Sequence, residues 1–144
     1  MIRPVVRYGR RVNSGYQPTS GRIPQQVVSP RQPTDHFAPK AWVGEVVPFR
    51  ATIFAEGHDV LGAELVLTDP RGETASHRMQ LASPGLDLWE ILVLIDEPGE
   101  WTFQIRAWRD DWASWIRAAK LKISAGIDVD VTLDTGTALL KRSL

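Results

Sequence analysis

The sequence offers few residue combinations that could perform acid–base or metal chemistry. Its three histidines, His36, His58 and His77, show neither metal-ligand spacing nor an HExxH motif. His58 precedes Asp59, and a carboxylate beside an imidazole can orient it as a general base. An Asp in a turn more commonly bonds its own backbone, so the sequence favours a turn here over a catalytic pair.

The carboxylates likewise favour structural roles. Asp110 and Asp111 are adjacent, but they precede a helical pattern, which favours a helix cap over a catalytic pair. Four other acidic residues lack the spacing of a calcium loop: Glu100, Asp128, Asp130 and Asp134. There is no glycine-rich phosphate loop and no nucleophile elbow. We therefore expect no catalytic, cofactor-binding or metal-binding residues in this chain, and no cofactor.

Tryptophan is the residue type with most binding potential, because its indole can anchor a core, a protein partner or a sugar ring. The six tryptophans are Trp42, Trp89, Trp101, Trp108, Trp112 and Trp115. Trp89 and Trp101 fall at the same alternate positions as the other apolar residues of their predicted strands, so they are expected in the core. Trp108, Trp112 and Trp115 remain open between core, partner surface and sugar platform, in that order.

The elements that position these residues are mostly strands. Between Asp87 and Trp108, apolar residues fall at every second position on both sides of the turn residues 96–99, which predicts two strands joined as a hairpin. Further short strands are predicted at 22–28, 46–55, 63–67 and 74–81, separated by Gly- and Pro-containing turns. The pattern predicts a mainly β chain, an immunoglobulin-like β-sandwich with a C-terminal helical segment.

The period changes after the last strand. Trp108, Trp112, Trp115 and Ala119 have the spacing of one helix face, and Gly126 ends the pattern. Residues 127–134 alternate as a strand would, whereas residues 137–141 have a helical pattern that includes Leu139 and Leu140. We interpret 1–21 as a flexible leader, 22–109 as the sandwich, and 110–144 as a helical extension that is cut short.

Composition narrows the class of partner and compartment. Seventeen basic and seventeen acidic residues balance, which argues against nucleic-acid binding. No apolar run of about 18 residues exists, so no membrane span is expected. The absence of cysteine fits a reducing cytoplasm.

Several segments, in this order and spacing, resemble the N-terminal domain of the α-1,4-glucan:maltose-1-phosphate maltosyltransferases of the α-amylase superfamily. They are Arg22–Pro24 with Val28–Pro30, Pro39–Ala41 with Val43–Glu45, Ile53–Phe54 with Glu56–Asp59, Asp87 and Trp89, Gly99–Phe103, Ala107–Trp108, Trp115, and Ala125–Val129. The sequence departs from the family pattern at Trp42, where a smaller residue is expected, and in the loop 30–37.

The resemblance implies an accessory domain rather than an active site. In that family the catalytic carboxylates belong to a (β/α)8 barrel that follows this domain, and the domain helps to form a homodimer. It also implies that a helix begins after about 128 and pairs with a second helix, which is expected, with the closing strands, beyond Leu144. The expected partners are thus a second copy, with Trp108, Trp112, Trp115, Leu139 and Leu140 at or beside the interface, and the catalytic barrel.

Two other functions remain open from the sequence. One is a free-standing glucan-binding β-sandwich, with an α-glucan in contact with the same tryptophans. The other is an immunoglobulin-like structural or adaptor module without a ligand, which the fold alone never excludes.

Overall fold

The structure is a computed structural model that describes residues 5–8, 23–31 and 38–143. Within these ranges the chain forms eight strands, one short 3-10 turn at Pro84–Leu86 and two helices. The strands are β1 Val5–Tyr8, β2 Gln25–Ser29, β3 Val46–Ile53, β4 Leu61–Thr68, β5 Thr74–Arg78, β6 Gln80–Ser83, β7 Leu88–Leu94 and β8 Glu100–Arg109; the helices are α1 Asp111–Ala125 and α2 Val129–Ser143.

One sheet has the order β2-β3-β7-β6 and is antiparallel throughout. In β3, Val47, Phe49, Ala51 and Ile53 are buried and alternate with less buried residues. Ala51 lies opposite Trp89 of β7 in this register, so the buried sides of the two strands form one inner face. The period-2 burial is what a strand with one face on a core requires.

The other sheet has the order β1-β8-β4-β5. In it β1 runs parallel to β8, with Val5 opposite Glu100 and Tyr8 opposite Phe103, and β4 runs antiparallel to β5. In β8, the residues Trp101, Phe103 and Ile105 are buried, as the alternation predicts.

The inner faces of the two sheets meet at a pair of phenylalanines. The rings of Phe49 in β3 and Phe103 in β8 lie 5.0 Å apart at 77°, an edge-to-face contact across the sandwich. Trp89 and Trp101 are 8% and 7% exposed, which confirms that both belong to the core. The predicted class, a mainly β sandwich followed by a helical segment, is therefore confirmed.

The predicted hairpin between Asp87 and Trp108 is wrong. Strand β7 pairs with β3 and β6, whereas β8 lies in the other sheet between β1 and β4. The connection passes from one sheet to the other: Ile95 exchanges backbone hydrogen bonds with Gly44 and Glu45, and Gly99 packs on Pro70 in the β4–β5 turn. Alternation identifies the face that a strand buries but not its partner, and two strands facing each other across a core bury the same residues as a hairpin would.

The described residues fall into two compact units: one contains 5–8, 23–31, 38–54 and 63–107, and the other contains 55–62 and 108–143. Residues 55–62, which the sequence assigns to the sandwich, thus group with the helices. Most of the predicted leader 1–21 lies outside the described residues, and within it residues 5–8 form β1. His36 and most of the loop 30–37 also lie outside them.

Most of the helix starts and ends that the sequence predicts are confirmed by the structure. Asp110 caps α1 through a hydrogen bond from Ala113 N–H to its Oδ1, and Gly126 ends the helix at φ 67°, where glycine is favoured. Residues 129–143 form α2, so the family resemblance and not the strand alternation is correct there. The predicted helical position of Trp108 is wrong, since this residue belongs to β8 and α1 begins at Asp111.

Candidate functional site

The start of α1 is held by the segment 55–62 of the same unit. The Val60 N–H donates to Ser114 Oγ at 2.7 Å, and the Asp110 N–H donates to the Val60 carbonyl at 2.8 Å. Asp59 forms an ion pair with Arg109 at the end of β8. Asp59 therefore holds the segment against β8, and its carboxylate is engaged by a guanidinium while the neighbouring His58 is exposed.

Trp108 lies against Gly62 at the start of β4. A Cβ at position 62 would fall 2.6 Å from Cε2 of the Trp108 indole, closer than two carbon atoms can approach. The missing side chain of Gly62 is what allows the indole to lie on the backbone of the neighbouring strand. Trp108 is half-buried, so the structure makes it a packing residue of this unit.

Trp115 connects the two helices. Its Nε1–H donates to the Thr132 carbonyl at 2.7 Å, and a Cβ at Gly136 would fall 2.3 Å from its Cζ2. Thr132 and Gly136 are buried and one helical turn apart, so they form the stripe of α2 on which the indole lies. Ala119, one turn beyond Trp115 on α1, is also buried.

Trp112 stacks on Trp115, with ring centroids 4.8 Å apart and the planes inclined at 29°. Trp112 is 41% exposed, so its indole packs on that of Trp115 and still has part of its surface open to solvent. Of the predicted site residues, the structure brings Trp112 and Trp115 together. Leu139 is half-buried and Leu140 is exposed on α2.

The residues that sequence reasoning missed are small. Gly62, Thr132 and Gly136 receive the two indoles, and none of them contributes to a hydrophobic pattern. One signal could have identified Gly136, because a glycine inside a helical segment costs about 1 kcal/mol relative to Ala and usually has a packing reason.

Both helices leave apolar side chains uncovered. Those that are exposed in this unit are Trp112, Leu121, Ile123, Ile127, Val131, Leu133 and Leu140. Large apolar surface on a folded protein commonly marks a contact with another protein surface. The arrangement thus presents two helices that are joined through Trp115 and that expose several apolar side chains.

The carboxylates of this unit are used in structural contacts. Asp110 caps α1, and Asp111 pairs with Arg142 of α2 at 2.7 Å. Across the described ranges, no three His, Cys, Asp or Glu side chains are grouped so that they could hold a metal ion. In the same part of the chain, neither helix has the length and apolarity to cross a membrane.

The sequence model of the family described as α-1,4-glucan:maltose-1-phosphate maltosyltransferase, domain N/S, matches residues 21–144. The chain belongs to this family.

Relatives with the same description are similar in sequence to this chain over most of its length. A maltosyltransferase of Streptomyces coelicolor is 40% identical over 124 residues, which cover 85% of this chain and 18% of the relative. The protein from Arcanobacterium haemolyticum is 42% identical over 125 residues, with the same coverage of 85% and 18%. That from Pseudomonas aeruginosa is 36% identical over 121 residues, covering 84% and 18%. The domain N/S sequence described here therefore spans less than a fifth of the length of these relatives.

Proposed function

We propose that this chain acts as a non-catalytic dimerisation and scaffold domain of an enzyme that transfers maltosyl units from maltose 1-phosphate to α-1,4-glucans. The observation that carries the proposal is the set of exposed apolar side chains on the α1–α2 pair, among which Leu133 and Leu140 are seven residues apart and lie on one face of α2. Family membership supplies the reaction. The structural use of Asp59, Asp110 and Asp111 supports a domain that does not itself catalyse it.

A two-fold axis is the arrangement that best suits the helix pair. In a symmetric dimer the same patch is used on both copies, so two helix pairs can cover each other's apolar residues. The lack of cysteine fits assembly in a reducing compartment, and we propose the cytoplasm.

Sedimentation over a range of concentrations tests the dimer. We expect the wild-type chain to associate, and the variant Leu133→Glu with Leu140→Glu to remain monomeric. Leu86→Glu is the control, because Leu86 is also exposed but belongs to the sandwich unit. A wild-type chain that is monomeric at every concentration would contradict the proposal.

A direct assay tests the absence of catalysis. The chain is incubated with maltose 1-phosphate and a glucan acceptor, and released phosphate is measured. We expect none above background. Phosphate release that His58→Ala or Asp59→Asn abolishes would show that this chain contains an active site after all.

An α-glucan ligand is the second candidate, and the exposure of Trp112 favours it. A sugar ring stacks its C–H face on an indole, and Trp115 already holds the Trp112 indole from one side. Titration with a linear maltooligosaccharide, followed by tryptophan fluorescence, tests this function. A saturable change that Trp112→Ala removes would support a glucan site, and an unchanged spectrum would leave the helix pair as a protein interface.

A further inference from the structure

The outer face of the β2-β3-β7-β6 sheet carries an apolar patch that the sandwich core does not use. Val46, Leu92 and Leu94 are 53%, 60% and 54% exposed. The register places Val46 opposite Leu94 and half-buried Pro48 opposite Leu92, so the four residues form two successive cross-strand pairs on β3 and β7. The solvent face of an antiparallel sheet is normally polar, and this part of it is not.

The patch has a defined edge. The next cross-strand pair on the same face is Arg50 opposite Glu90, and these two side chains form an ion pair. An apolar centre with a charged pair beside it is the arrangement found in protein contacts, where a polar rim surrounds a desolvated core.

We infer that the outer-face patch of Val46, Pro48, Leu92 and Leu94 is the docking surface for the catalytic part of the maltosyltransferase. This inference rests on the proposed function, because it requires the domain to belong to such an enzyme. In the Streptomyces coelicolor relative, the matched stretch is 18% of the length, so the rest of that polypeptide is by far the largest surface available to the patch.

The size of the patch favours a tethered partner over a second free copy. A stable complex of two separate proteins uses about 20–30 residues on each side. Four residues on two strands fall well short of that number. A partner on the same polypeptide needs less contact, because the covalent connection gives it an effective concentration of about a millimolar.

The experiment compares the 144-residue chain with a full-length chimera. In the chimera, residues 21–144 replace the matched stretch of the Streptomyces coelicolor relative. Hydroxyl-radical footprinting with mass spectrometry measures the oxidation of Leu92 and Leu94 in both proteins. Leu86, exposed in the same unit, is the internal control, and buried Phe49 reports that the sandwich is folded.

We expect the oxidation of Leu92 and Leu94 to fall severalfold in the chimera while that of Leu86 is unchanged. The comparison uses only a chimera that transfers maltosyl units, because this activity shows that its catalytic part is folded. Equal oxidation in both proteins would overturn the inference. Protection in the 144-residue chain alone that grows with its concentration would overturn it too, by assigning the patch to a second copy.

The outcome is separable from that of the proposed dimer. Dimerisation is read by sedimentation of the Leu133 and Leu140 variant on α2, whereas docking is read by oxidation on β7. In the chimera, Leu92→Arg with Leu94→Arg should restore oxidation of the neighbouring Val46 to the level of the isolated chain. Leu121→Arg, on exposed α1, should leave it protected.

Discussion

The indole of Trp115 on α1 lies directly over Gly136 on α2, at a distance that only a residue without a Cβ allows. The Nε1–H of the same indole donates to the Thr132 carbonyl, one helical turn earlier in α2. In a regular helix this carbonyl also accepts from the N–H of residue 136, so the two contacts converge on one turn. A single side chain thereby fixes both the spacing and the register of the helix pair.

Gly136→Ala should therefore destabilise the helix pair. Alanine favours a helix over glycine by about 1 kcal/mol, but overpacking against a fixed ring costs about 1–3 kcal/mol, so we expect a net loss. Urea unfolding followed by tryptophan fluorescence measures it. The matched control is Gly85→Ala, because a Cβ at Gly85 meets no other atom within 4 Å. Unchanged stability of G136A would mean that α2 can move away from Trp115 without loss.

The two core tryptophans should be the most sensitive positions of the sandwich. Trp89→Ala or Trp101→Ala removes a large buried side chain and should reduce the free energy of unfolding by about 3–5 kcal/mol. Denaturant titration by circular dichroism measures the loss. Trp42→Ala, at an exposed position, should cost clearly less. Equal losses at all three positions would contradict the assignment of faces in β7 and β8.

Acid should weaken the β4–β5 turn through Asp69. Desolvation raises the pKa of this carboxyl, but hydrogen bonds from the Glu73 and Arg71 N–H groups and the Arg71 guanidinium together lower the pKa below its ordinary 3.8. A lowered folded-state pKa gives stability that is present above the unfolded value and is lost as the pH falls through the folded one.

The test follows the urea midpoint of wild type and Asp69→Asn from neutral pH to below 3.8. We expect the difference between the two proteins to be largest at neutral pH and to shrink as Asp69 is protonated. Glu73→Gln is the control, because Glu73 contributes its backbone N–H to these hydrogen bonds and its side-chain carboxylate is not an acceptor in them. A stability difference between the two proteins that grows on acidification would contradict the prediction that ionised Asp69 stabilises the fold.

The N-cap of α1 should contribute measurably to stability. Asp110→Ala removes the acceptor of the Ala113 N–H and should cost about 0.5–2 kcal/mol. Asp111→Ala leaves the cap in place and breaks only the exposed ion pair with Arg142, so its cost should be smaller. Thermal unfolding of both variants compares them, and a larger loss for Asp111→Ala would reverse the order that the structure predicts.

Local chemistry was predictable from the sequence because it acts over a few residues. The cap at Asp110, the end of α1 at Gly126 and the burial of Trp89 and Trp101 all follow from neighbours in the chain. The partner of β7 does not, because alternation carries no information about which strand lies beside it.

The helix at 129–143 shows a second limit. The apolar residues Val131 and Leu133 suggest a strand by their alternation, yet they are exposed, while Thr132 and Gly136 are buried. The residues that α2 buries are small because an indole occupies the space above them. Hydrophobic periodicity cannot detect a contact in which one partner is a large indole and the other has no side chain. A glycine inside a helix indicates that something packs there, but only the structure identifies Trp115 as the residue that does.

The passage of the chain from β7 to β8 between sheets has a consequence for how the protein folds. Strand β7 has one neighbour close in sequence, β6, in which Leu81 lies opposite Trp89, but its other neighbour is the distant β3, in which Ala51 lies opposite Trp89. Loop closure over such separations costs entropy before any contact repays it, and chains dominated by non-local strand pairs fold in milliseconds to seconds. The most regular stretch of the sequence is thus divided between two sheets, and each half must find a strand that is distant in the chain: β3 for β7, and β4 for β8.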